Sequence, residues 1–296
     1  MGKHEFFDQM TASAAAWALK KTRFFQDSLE SNSFSDLLGS IEITLPKING
    51  EGIYEVDCTD GEEEYDPAFH FVSYKGNDYP TLIYHHGNNE RPFHYGLASK
   101  NTFKSILMPS KESLPVNLIS IRAPFHQSLS VYTAKIKRLS AFMGMLSASV
   151  NLMEALCQNF SKNQGKVILS GISLGGWAVN LHRAYYNSAY AYVPLLAGAA
   201  LDDVFIGSAY QQLTSQRAKD HPEIIQEKLN FDLNFSQREE KNVFPLLGRY
   251  DQFVRYDRQS KSYEGIPVKV VDKGHVTTVM DTKELKKHIE GCLPRE

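Results

Sequence analysis

The sequence has few cysteines, and none of them belongs to a recognisable motif. Cys58, Cys157 and Cys292 are an odd number of widely spaced thiols without a CxxC pair. This pattern argues against a disulfide framework and a cysteine-rich zinc site, and it is typical of a reducing compartment. The N-terminal residues also lack the uninterrupted apolar segment of a signal peptide. We therefore expect a cytoplasmic location.

Excess charge and long apolar runs are absent as well. The 32 Lys and Arg residues are balanced by 34 Asp and Glu residues, so the formal net charge is -2. Such a balance provides no electrostatic attraction to nucleic acid or to an anionic membrane. No run of roughly 18 apolar residues is present that would cross a bilayer. The composition thus predicts neither a nucleic-acid partner nor an integral membrane segment, and it leaves the oligomeric state open.

Residues 1–50 contain apolar side chains at roughly helical spacing. These are Phe6, Met10, Ala14, Trp17, Phe24 and Phe25, with Lys20, Lys21 and Arg23 among them. The spacing predicts a helical extension. One alternative is a helix that lies on a membrane surface. We expect instead that the extension packs on the body of a domain at residues 51–296.

The rest of the chain alternates between short apolar segments and helical patterns. Residues 53–74, interrupted by an acidic turn at 60–64, predict two antiparallel strands at a sheet edge. Further strands are predicted at 81–84, 116–121, 166–169, 190–196, 243–247 and 268–271. Helical patterns lie near 97–107, 134–160, 174–187 and 282–291. Apolar strands separated by helices predict an α/β fold, with a mostly parallel sheet covered by helices on both faces.

The third strand of this series, 166–169, leads directly into a glycine-rich turn, Gly171–Gly176, and then into a helix. A serine between two glycines at a strand–turn–helix junction is held in a strained conformation with its hydroxyl exposed, so Ser173 is the candidate nucleophile. The backbone N–H of Leu174, at the start of the helix, would help to hold an oxyanion. Ser170 precedes the turn and should point into the packing of the sheet. The alternative for the whole motif is a glycine-rich packing turn.

A general base and an acid are expected on loops after later strands. His275 follows the last predicted strand, whereas His288 lies on the final helix beside two lysines and is expected to be solvated. Asp251 follows the strand at 243–247, where a carboxylate would fix the tautomer of the imidazole. His275 is therefore the candidate base and Asp251 the candidate acid. Alternative acids are Asp202, Asp203, Asp257 and Asp272.

The strand at 81–84 ends in the sequence His85-His86-Gly87-Asn88-Asn89. A second oxyanion donor should be a backbone N–H just after this strand, which makes Asn88 the first choice and Gly87 the second. Adjacent strand residues point to opposite faces, so His85 and His86 are poorly placed to bind one metal ion. We expect His86 to support the loop by hydrogen bonding, and the loop at 122–127 to line the same pocket.

The segment between the fourth and fifth strands of this series is too long for a simple crossover. Residues 201–241 include the apolar side chains of Phe205, Ile206, Tyr210, Leu213, Ile224, Ile225, Leu229, Phe231 and Phe235. We predict a short helical cap over Ser173. These side chains would offer apolar surface to a substrate, or they would only pack the cap onto the domain.

Four motifs in this order resemble the α/β-hydrolase superfamily, in its esterase, lipase and thioesterase-like branch. They are His86-Gly87, Gly171-Ile172-Ser173-Leu174-Gly175, Gly248-Arg249-Tyr250-Asp251 and Gly274-His275. The resemblance covers roughly residues 53–293. It implies an eight-stranded sheet with one antiparallel strand, no metal and no organic cofactor. Asn88-Asn89 departs from the family, in which glycines are frequent at these positions.

The predicted function is that of a serine hydrolase. A Ser173–His275–Asp251 triad would cleave a carboxylic ester or thioester of a small-molecule acyl substrate through an acyl-enzyme. The same triad would also serve an amide or peptide hydrolase, or an acyltransferase. The alternative of another class is a binding protein that has the fold without the chemistry.

Overall fold

The computed structural model describes residues 2–18, 22–96, 99–162 and 165–294, apart from the side chains at positions 17 and 18. Its strands are β1 (Glu42–Thr44), β2 (Gly52–Glu55), β3 (Asp57–Thr59), β4 (Glu64–Tyr65), β5 (Ala68–Ser73), β6 (Thr81–His85), β7 (Asn117–Arg122), β8 (Val167–Ile172), β9 (Ala191–Leu195), β10 (Leu246–Gly248) and β11 (Lys269–Val271).

The α-helices are α1 (Lys3–Ala18), α2 (Phe34–Ser40), α3 (Thr102–Ile106), α4 (Leu129–Lys135), α5 (Leu139–Phe160), α6 (Leu174–Tyr185), α7 (Leu201–Ile206), α8 (Gln216–Asp220), α9 (Pro222–Leu229), α10 (Asp232–Ser236), α11 (Tyr256–Gln259), α12 (His275–Val279) and α13 (Thr282–Gly291). Short 3-10 helices span Met108–Ser110, Ala209–Leu213 and Ser260–Tyr263.

One sheet of eight strands organises the domain. Its order is β11-β10-β9-β8-β6-β7-β5-β2. The strands from β11 to β7 pair in parallel, whereas β5 runs antiparallel to both β7 and β2. This confirms the predicted α/β-hydrolase fold with a mostly parallel sheet. Residues 53–74 form the predicted edge, but they are divided among β2 to β5, of which β3 and β4 join β1 in a separate three-stranded sheet.

The central strands are apolar along their length because both faces of the sheet are covered. Every residue of β6 and β8 is buried. Successive side chains of a strand point to opposite faces. Accordingly, Ile83 lies in one core cluster with residues of α5 and α6, and Leu82 lies in a second cluster with residues of α3 and α13. The three-layer arrangement follows from these two cores.

The helix predicted near 134–160 is not continuous in the structure. Helix α5 begins only at Leu139, and residues 134 and 135 belong to the separate helix α4. The carbonyl oxygens of Ile136 and Lys137 accept hydrogen bonds from the N–H groups of Phe25 (3.0 Å) and Asp27 (2.9 Å). The backbone between the two helices therefore pairs with the N-terminal segment. This extended pairing competes with helical hydrogen bonds at the break, and a periodicity pattern does not reveal it.

The helix predicted at 97–107 is shorter in the structure. Residues 97 and 98 lie outside the described residues, and α3 begins at Thr102. Asn101 is its N-cap, and its side chain accepts the N–H of Lys104 at 2.9 Å. The amide group of Asn101 also donates to the carbonyl oxygens of Pro92 (2.8 Å) and His94 (3.2 Å). The cap residue thus ties the preceding loop to the start of the helix.

Helix α1 packs on the domain through a different face from the one predicted. It contacts α12 and the 3-10 helix at 209–213. Phe6 and Met10, expected at the contact, are 48% and 54% exposed. The buried positions are Asp8 and Ala12. The apolar periodicity does not predict the buried face of α1, because the contact depends on a buried carboxylate that accepts backbone hydrogen bonds.

The segment after α1 is part of the main core. Phe24 and Phe25 are buried. The prediction that they belong to a helix is wrong, because both lie in non-helical backbone. Their rings pack against Phe142 of α5 and Phe205 of α7 at centroid distances between 4.8 and 6.0 Å. The side chain of Trp17 and residues 19–21, which the same periodicity included, lie outside the described part of the chain. The domain boundary at residue 50 stays a prediction.

The segment at 201–241, for which a short helical cap is predicted, contains helices α7 to α10. A fully buried arginine, Arg183 of α6, anchors its end. The guanidinium group donates to the carbonyl oxygens of Phe235 (3.1 Å) and Glu240 (2.6 Å) and lies 4.6 Å from the centre of the Phe235 ring. Because these acceptors belong to the backbone, the cap is attached to the helix that follows Ser173.

One helix, α5, is long and apolar enough to cross a membrane by length and composition. In the structure, 83% of its most apolar window is buried inside the domain. Its side chains belong to the larger core cluster. The position of α5 is that of a core helix, because its apolar surface is already covered by protein.

Candidate active site

Four loops at one edge of the sheet carry the predicted site residues. They are the Gly87 loop (residues 86–90) after β6, the Ser173 turn (171–176) after β8, the Asp251 loop (249–254) after β10 and the His275 loop (272–276) after β11. These strands are parallel, so their carboxyl ends lie at the same edge. Ligand sites of open α/β sheets are found at such edges, and the topology therefore places the four loops together.

Ser173 has a backbone conformation that few residues adopt. Its φ and ψ angles are 52° and -112°, and its side chain remains partly exposed. Such a conformation costs about 1–3 kcal/mol, which the surrounding structure must supply. By contrast, the Ser170 hydroxyl is buried and donates to the carbonyl oxygen of Val193 at 3.0 Å. Of these two serines, only Ser173 offers its hydroxyl at the sheet edge.

Glycines are required in the Ser173 turn because backbone segments meet there. A Cβ atom at Gly171 would lie 2.5 Å from the backbone carbonyl group of Gly175. A Cβ at Gly175 would collide with the carbonyl oxygen of His85, and one at Gly176 would lie 2.8 Å from that of Leu195. Real Cβ atoms essentially never show contacts under 3.0 Å. The turn is therefore packed between β6 and β9, and it holds the strained serine in place.

Helix α6 begins at Leu174, directly after the strained residue. The first N–H groups of a helix have no acceptor within the helix, and the helix dipole makes this end partly positive. The Ser173 N–H is used elsewhere, as it donates to the carbonyl oxygen of Leu195 at 2.8 Å. The Leu174 N–H is thus at a helix terminus beside the Ser173 hydroxyl, where it favours a negative charge.

His275 and Asp251 form a buried pair. The Nδ1 atom of His275 lies 2.7 Å from Oδ2 of Asp251. The other oxygen of Asp251 accepts the N–H groups of Phe253 and Val254, each at 2.8 Å. Because a carboxylate can only accept here, Nδ1 carries the proton of the imidazole and Nε2 is free to act as a base. Asp251 thereby sets the tautomer of His275.

The environment of His275 stabilises its protonated form. Burial by itself would lower the pKa of the imidazole, but the charge of Asp251 and its hydrogen bond outweigh this effect, and the charge of Asp8 adds to them. The pKa of His275 is consequently raised above its ordinary value of 6.5. A raised pKa makes the imidazole a stronger base, as proton removal from a serine requires.

The alternative acids are engaged in other contacts. Asp203 pairs with Arg255, and Asp202 accepts the side chain amide of Asn230 at 2.9 Å. Burial, the largest influence on Asp202, raises its pKa to about 6. Asp272 pairs with Arg249 on the surface, and Asp257 is exposed on α11. Of the five candidate carboxylates, Asp251 is the one that contacts His275.

His288 does not have the solvated position that its neighbours in the sequence predict. Its Nε2 atom contacts the carbonyl oxygen of Phe244 at 2.9 Å, and burial lowers its pKa below the ordinary value. The reason is that α13 buries Leu285 and Ile289 in the core cluster that covers one face of the sheet. His288 therefore joins α13 to the segment just before β10.

The Gly87 loop is held by a buried carboxylate. The Gly87 N–H donates to Oε1 of Glu90 at 3.0 Å, and the other oxygen of Glu90 accepts the Thr102 N–H at 2.7 Å. A Cβ atom at Gly87 would lie 2.7 Å from Glu90 Oε1, so a glycine leaves room for this carboxylate beside the loop. Because the Gly87 N–H is occupied, Asn88 is better placed as an oxyanion donor.

The side chain of Asn88 connects this loop to the cap. Its amide group donates to the hydroxyl oxygen of Tyr210 at 2.8 Å. The ring of Tyr210 packs on that of Phe253 (centroids 5.6 Å apart), which in turn lies 5.1 Å from the imidazole of His275. A continuous row of side chains thus joins the Gly87 loop to the His275 loop. The polar residue that departs from the family pattern has a specific partner.

His86 supports the Gly87 loop, as the sequence predicts. Its Nδ1 donates to the carbonyl oxygen of Gly87 at 2.7 Å, while its Nε2 accepts the N–H of Ala123 at 3.0 Å. Burial lowers the pKa values of His85 and His126 to about 4 and that of His86 well below 6.5. All three imidazoles are therefore neutral, and they are structural groups. Within the described ranges, no group of three or more His, Cys, Asp or Glu side chains is arranged to hold a metal ion.

Sequence reasoning missed Glu90, which holds the Gly87 loop, and a second carboxylate, which contacts the His275 and Asp251 loops. Asp8 of α1 is completely buried, and it accepts the backbone N–H groups of His275 (2.8 Å), Val276 (2.9 Å) and Gln252 (3.1 Å). A single Asp in a helical segment with apolar neighbours has no local pattern that would reveal this. The only available signal is its position on the helix, on the same side as Ala12, one turn later.

Comparisons with known proteins establish the fold. No family model and no curated protein matches the sequence. The structure is similar to acetyl xylan esterase 1 from a Thermoanaerobacterium species, with a TM-score of 0.57 and 14% identity over 91% of this chain and 98% of that one. It is also similar to the Pyrococcus furiosus esterase Pf2001, with a TM-score of 0.53 and 15% identity over 91% and 97% of the two chains.

A third similar structure is the acylaminoacyl peptidase of Pyrococcus horikoshii, with a TM-score of 0.53 and 14% identity. This likeness covers 83% of our chain but only 40% of the peptidase. At such low identities, similarity of structure demonstrates a shared fold and leaves the chemistry to be argued from the site. The chain therefore has the α/β-hydrolase fold.

Proposed function

We propose that the chain is a serine hydrolase that cleaves a carboxylic ester or thioester, with Ser173 as nucleophile, His275 as base and Asp251 as the acid that orients it. The observation that carries this proposal is the buried His275–Asp251 pair at the sheet edge where the strained Ser173 lies. A strained serine and an oriented imidazole at one edge are typical of nucleophilic catalysis. A binding protein without chemistry would have no need for either feature.

In the proposed first step, Oγ of Ser173 attacks the carbonyl carbon of the substrate while Nε2 of His275 takes the hydroxyl proton. The carbonyl oxygen acquires the negative charge, and the N–H groups of Leu174 and Asn88 stabilise it. The C=O bond then reforms, the bond to the leaving group breaks, and His275 returns the proton to the departing oxygen or sulfur. The product is an acyl ester of Ser173.

Water repeats the sequence in the second step. His275 takes a proton from water as its oxygen bonds to the acyl carbon, and then returns a proton to Oγ of Ser173 as the carboxylic acid leaves. Asp251 stays ionised throughout and stabilises the imidazolium that forms in each attack. The role of Asp251 agrees with the raised pKa of His275.

The substrate class is a small acyl compound. Two of the similar structures are esterases and one is a peptidase, so an ester is the first substrate to examine and an amide the second. The buried Cys58 and Cys157 and the half-buried Cys292 are free thiols, in agreement with a proposed location in the cytoplasm. Acyl transfer to an acceptor other than water would use the same intermediate.

The test is a Ser173→Ala variant assayed with p-nitrophenyl acetate and labelled with a fluorophosphonate. We expect both hydrolysis and labelling to be lost. Ser170→Ala is the matched control, because it removes a serine from β8, the strand that leads into the Ser173 turn, and should leave labelling intact. Retention of either activity in folded Ser173→Ala would refute the proposal. A series of acyl esters, thioesters and anilides then separates the esterase from the amidase.

A further inference from the structure

Helix α1 supplies a carboxylate to the two loops that carry the proposed base and acid. Asp8 Oδ2 accepts the N–H of His275 at 2.8 Å and that of Gln252 at 3.1 Å, while Oδ1 accepts the N–H of Val276 at 2.9 Å. Gln252 directly follows Asp251 in the chain. One side chain, which has no exposed surface, therefore bonds to the base residue itself and to the neighbour of the acid.

The close approach of α1 is built into the His275 loop. A Cβ atom at Gly274 would lie 2.7 Å from Asp8 Oδ2 and 3.0 Å from the carbonyl oxygen of His4. His4, one turn before Asp8, contacts the hydroxyl of Thr277 at 2.9 Å. Any side chain at position 274 would push α1 away from the loop. Close contact with α1 thus explains why a glycine precedes the proposed base.

We propose that Asp8 is a positioning residue, whose ionised carboxylate holds the His275 and Asp251 loops in register and favours the imidazolium during catalysis. This inference rests on the proposed function. Helix capping alone does not account for Asp8, because its bond to Gln252 joins a second loop. All three partners are N–H donors, so the ionised carboxylate, which only accepts, matches them, whereas a protonated carboxyl group would bring an O–H for which these three partners offer no acceptor.

The charged groups that act on the imidazole of His275 are Asp251 and Asp8. Burial raises the pKa of Asp8, and the charge of Asp251 raises it further. The three backbone hydrogen bonds lower it, but the pKa stays above its ordinary value. The charges of two carboxylates, Asp251 on the ring and Asp8 on the backbone N–H, thus act on His275, and each raises the pKa of its imidazole. The other charged groups of these elements near the site are paired with one another: Lys273 with Asp281, and Arg249 with Asp272.

The test uses the full-length chain and an Asp8→Asn variant. This variant keeps the shape of the side chain, removes its charge and points an N–H donor at a backbone N–H. We expect kcat for p-nitrophenyl acetate to fall about 10- to 100-fold with little change in KM, as small misplacements of catalytic groups do. The acid limb of the kcat/KM profile should move to lower pH, because one charge that stabilises the imidazolium is lost.

Glu5→Gln is the matched control, since it removes the same charge from the same helix at a carboxylate whose partner is the Gly2 N–H. It should leave kcat and the pH profile unchanged. Asp8→Glu restores the charge with a longer side chain, so its acid limb should return toward the wild-type position while kcat stays low. Thermal unfolding of each variant establishes the folded fraction used to normalise the rates.

The proposal requires both changes in Asp8→Asn, and retention of the wild-type kcat or of the wild-type acid limb overturns it. An NMR titration of the His275 imidazole in wild-type and Asp8→Asn chains gives the same comparison without any turnover. Failure of the proposed function is distinguishable, because the wild-type chain would then lack fluorophosphonate labelling while the NMR titration still reports on Asp8.

Discussion

The Ser173 turn and the His275 loop are held by different physical means. Close packing of backbone fixes the turn, since Cβ atoms at Gly171 or Gly176 would overlap neighbouring backbone. Hydrogen bonds to buried carboxylates fix the loop, through Asp251 and Asp8. Packing does not respond to pH, whereas carboxylates and imidazoles titrate. We conclude that the proposed nucleophile has a pH-independent scaffold and the proposed base has a titratable one.

The largest effect that would sharpen this contrast is expected from Asp251→Asn. The amide cannot accept the Nδ1 proton of His275 in the same way and favours the wrong tautomer, so kcat should fall about 10⁴-fold with the fold intact. Steady-state kinetics on a p-nitrophenyl ester measures the loss. Asp272→Asn, which removes an exposed carboxylate paired with Arg249, is the control and should retain activity. Equal losses in both variants would contradict the assignment of the acid.

The packed turn can be broken with a single methyl group. In Gly171→Ala, the new Cβ would meet backbone at 2.5 Å, and we expect destabilisation of about 3 kcal/mol because the backbone must shift. Urea denaturation measures it. Gly39→Ala on α2 is the control, since nothing lies within 4 Å of a Cβ there and removal of a helical glycine should stabilise by about 0.5–1 kcal/mol. An unchanged midpoint in Gly171→Ala would disprove steric control of the turn.

Titration of His275 should make the rate of ester hydrolysis depend on pH. Only the neutral imidazole of His275 accepts the Ser173 proton, so kcat/KM for a neutral ester should fall as the pH decreases through the pKa of His275. That pKa is raised above 6.5, so the midpoint of the acid limb should lie above pH 6.5. Initial rates between pH 5 and pH 9, in buffers of constant ionic strength, would locate it. A midpoint below 6.5 would mean that burial outweighs the carboxylates.

A smaller effect is expected where the cap contacts the Gly87 loop, at the other end of the row of side chains that reaches His275. Tyr210→Phe removes the hydroxyl that accepts the Asn88 side chain while it keeps the ring against Phe253. Loss of one hydrogen bond of about 1 kcal/mol should lower kcat roughly 5-fold through a looser Gly87 loop. The rate of ester hydrolysis, compared with Tyr190→Phe at an exposed tyrosine just before β9, measures it. Equal rates in the two variants would show that the Asn88 contact has no effect on catalysis.

The parts of the fold that depend on neighbours in the sequence were predictable. The apolar strands predict the parallel sheet because every residue of β6 and β8 must be buried. The Ser173 turn is recognisable from a local pattern, a serine between two glycines at the junction of a strand and a helix, although Gly175 and Gly176 also leave room for the backbone of β6 and β9. The order of Ser173, Asp251 and His275 on successive loops could be inferred for the same reason, although their roles stay a proposal.

Features that depend on distant residues could not be predicted. The break between α4 and α5 arises because Ile136 and Lys137 pair with a segment about 110 residues earlier in the chain. Likewise, helix α1 buries Asp8 and exposes Phe6 and Met10, because a carboxylate that receives three backbone hydrogen bonds tolerates burial. No periodicity within α1 contains that information. The partners of Asp8 lie more than 240 residues later.

The most direct measurement is to map the site of fluorophosphonate modification by mass spectrometry of the digested chain. The account predicts a single adduct on Ser173 in the wild-type chain and none in a folded His275→Ala variant, because the hydroxyl then lacks its base. An unmodified Ser173 in folded wild-type protein, or an adduct on another serine, would contradict it.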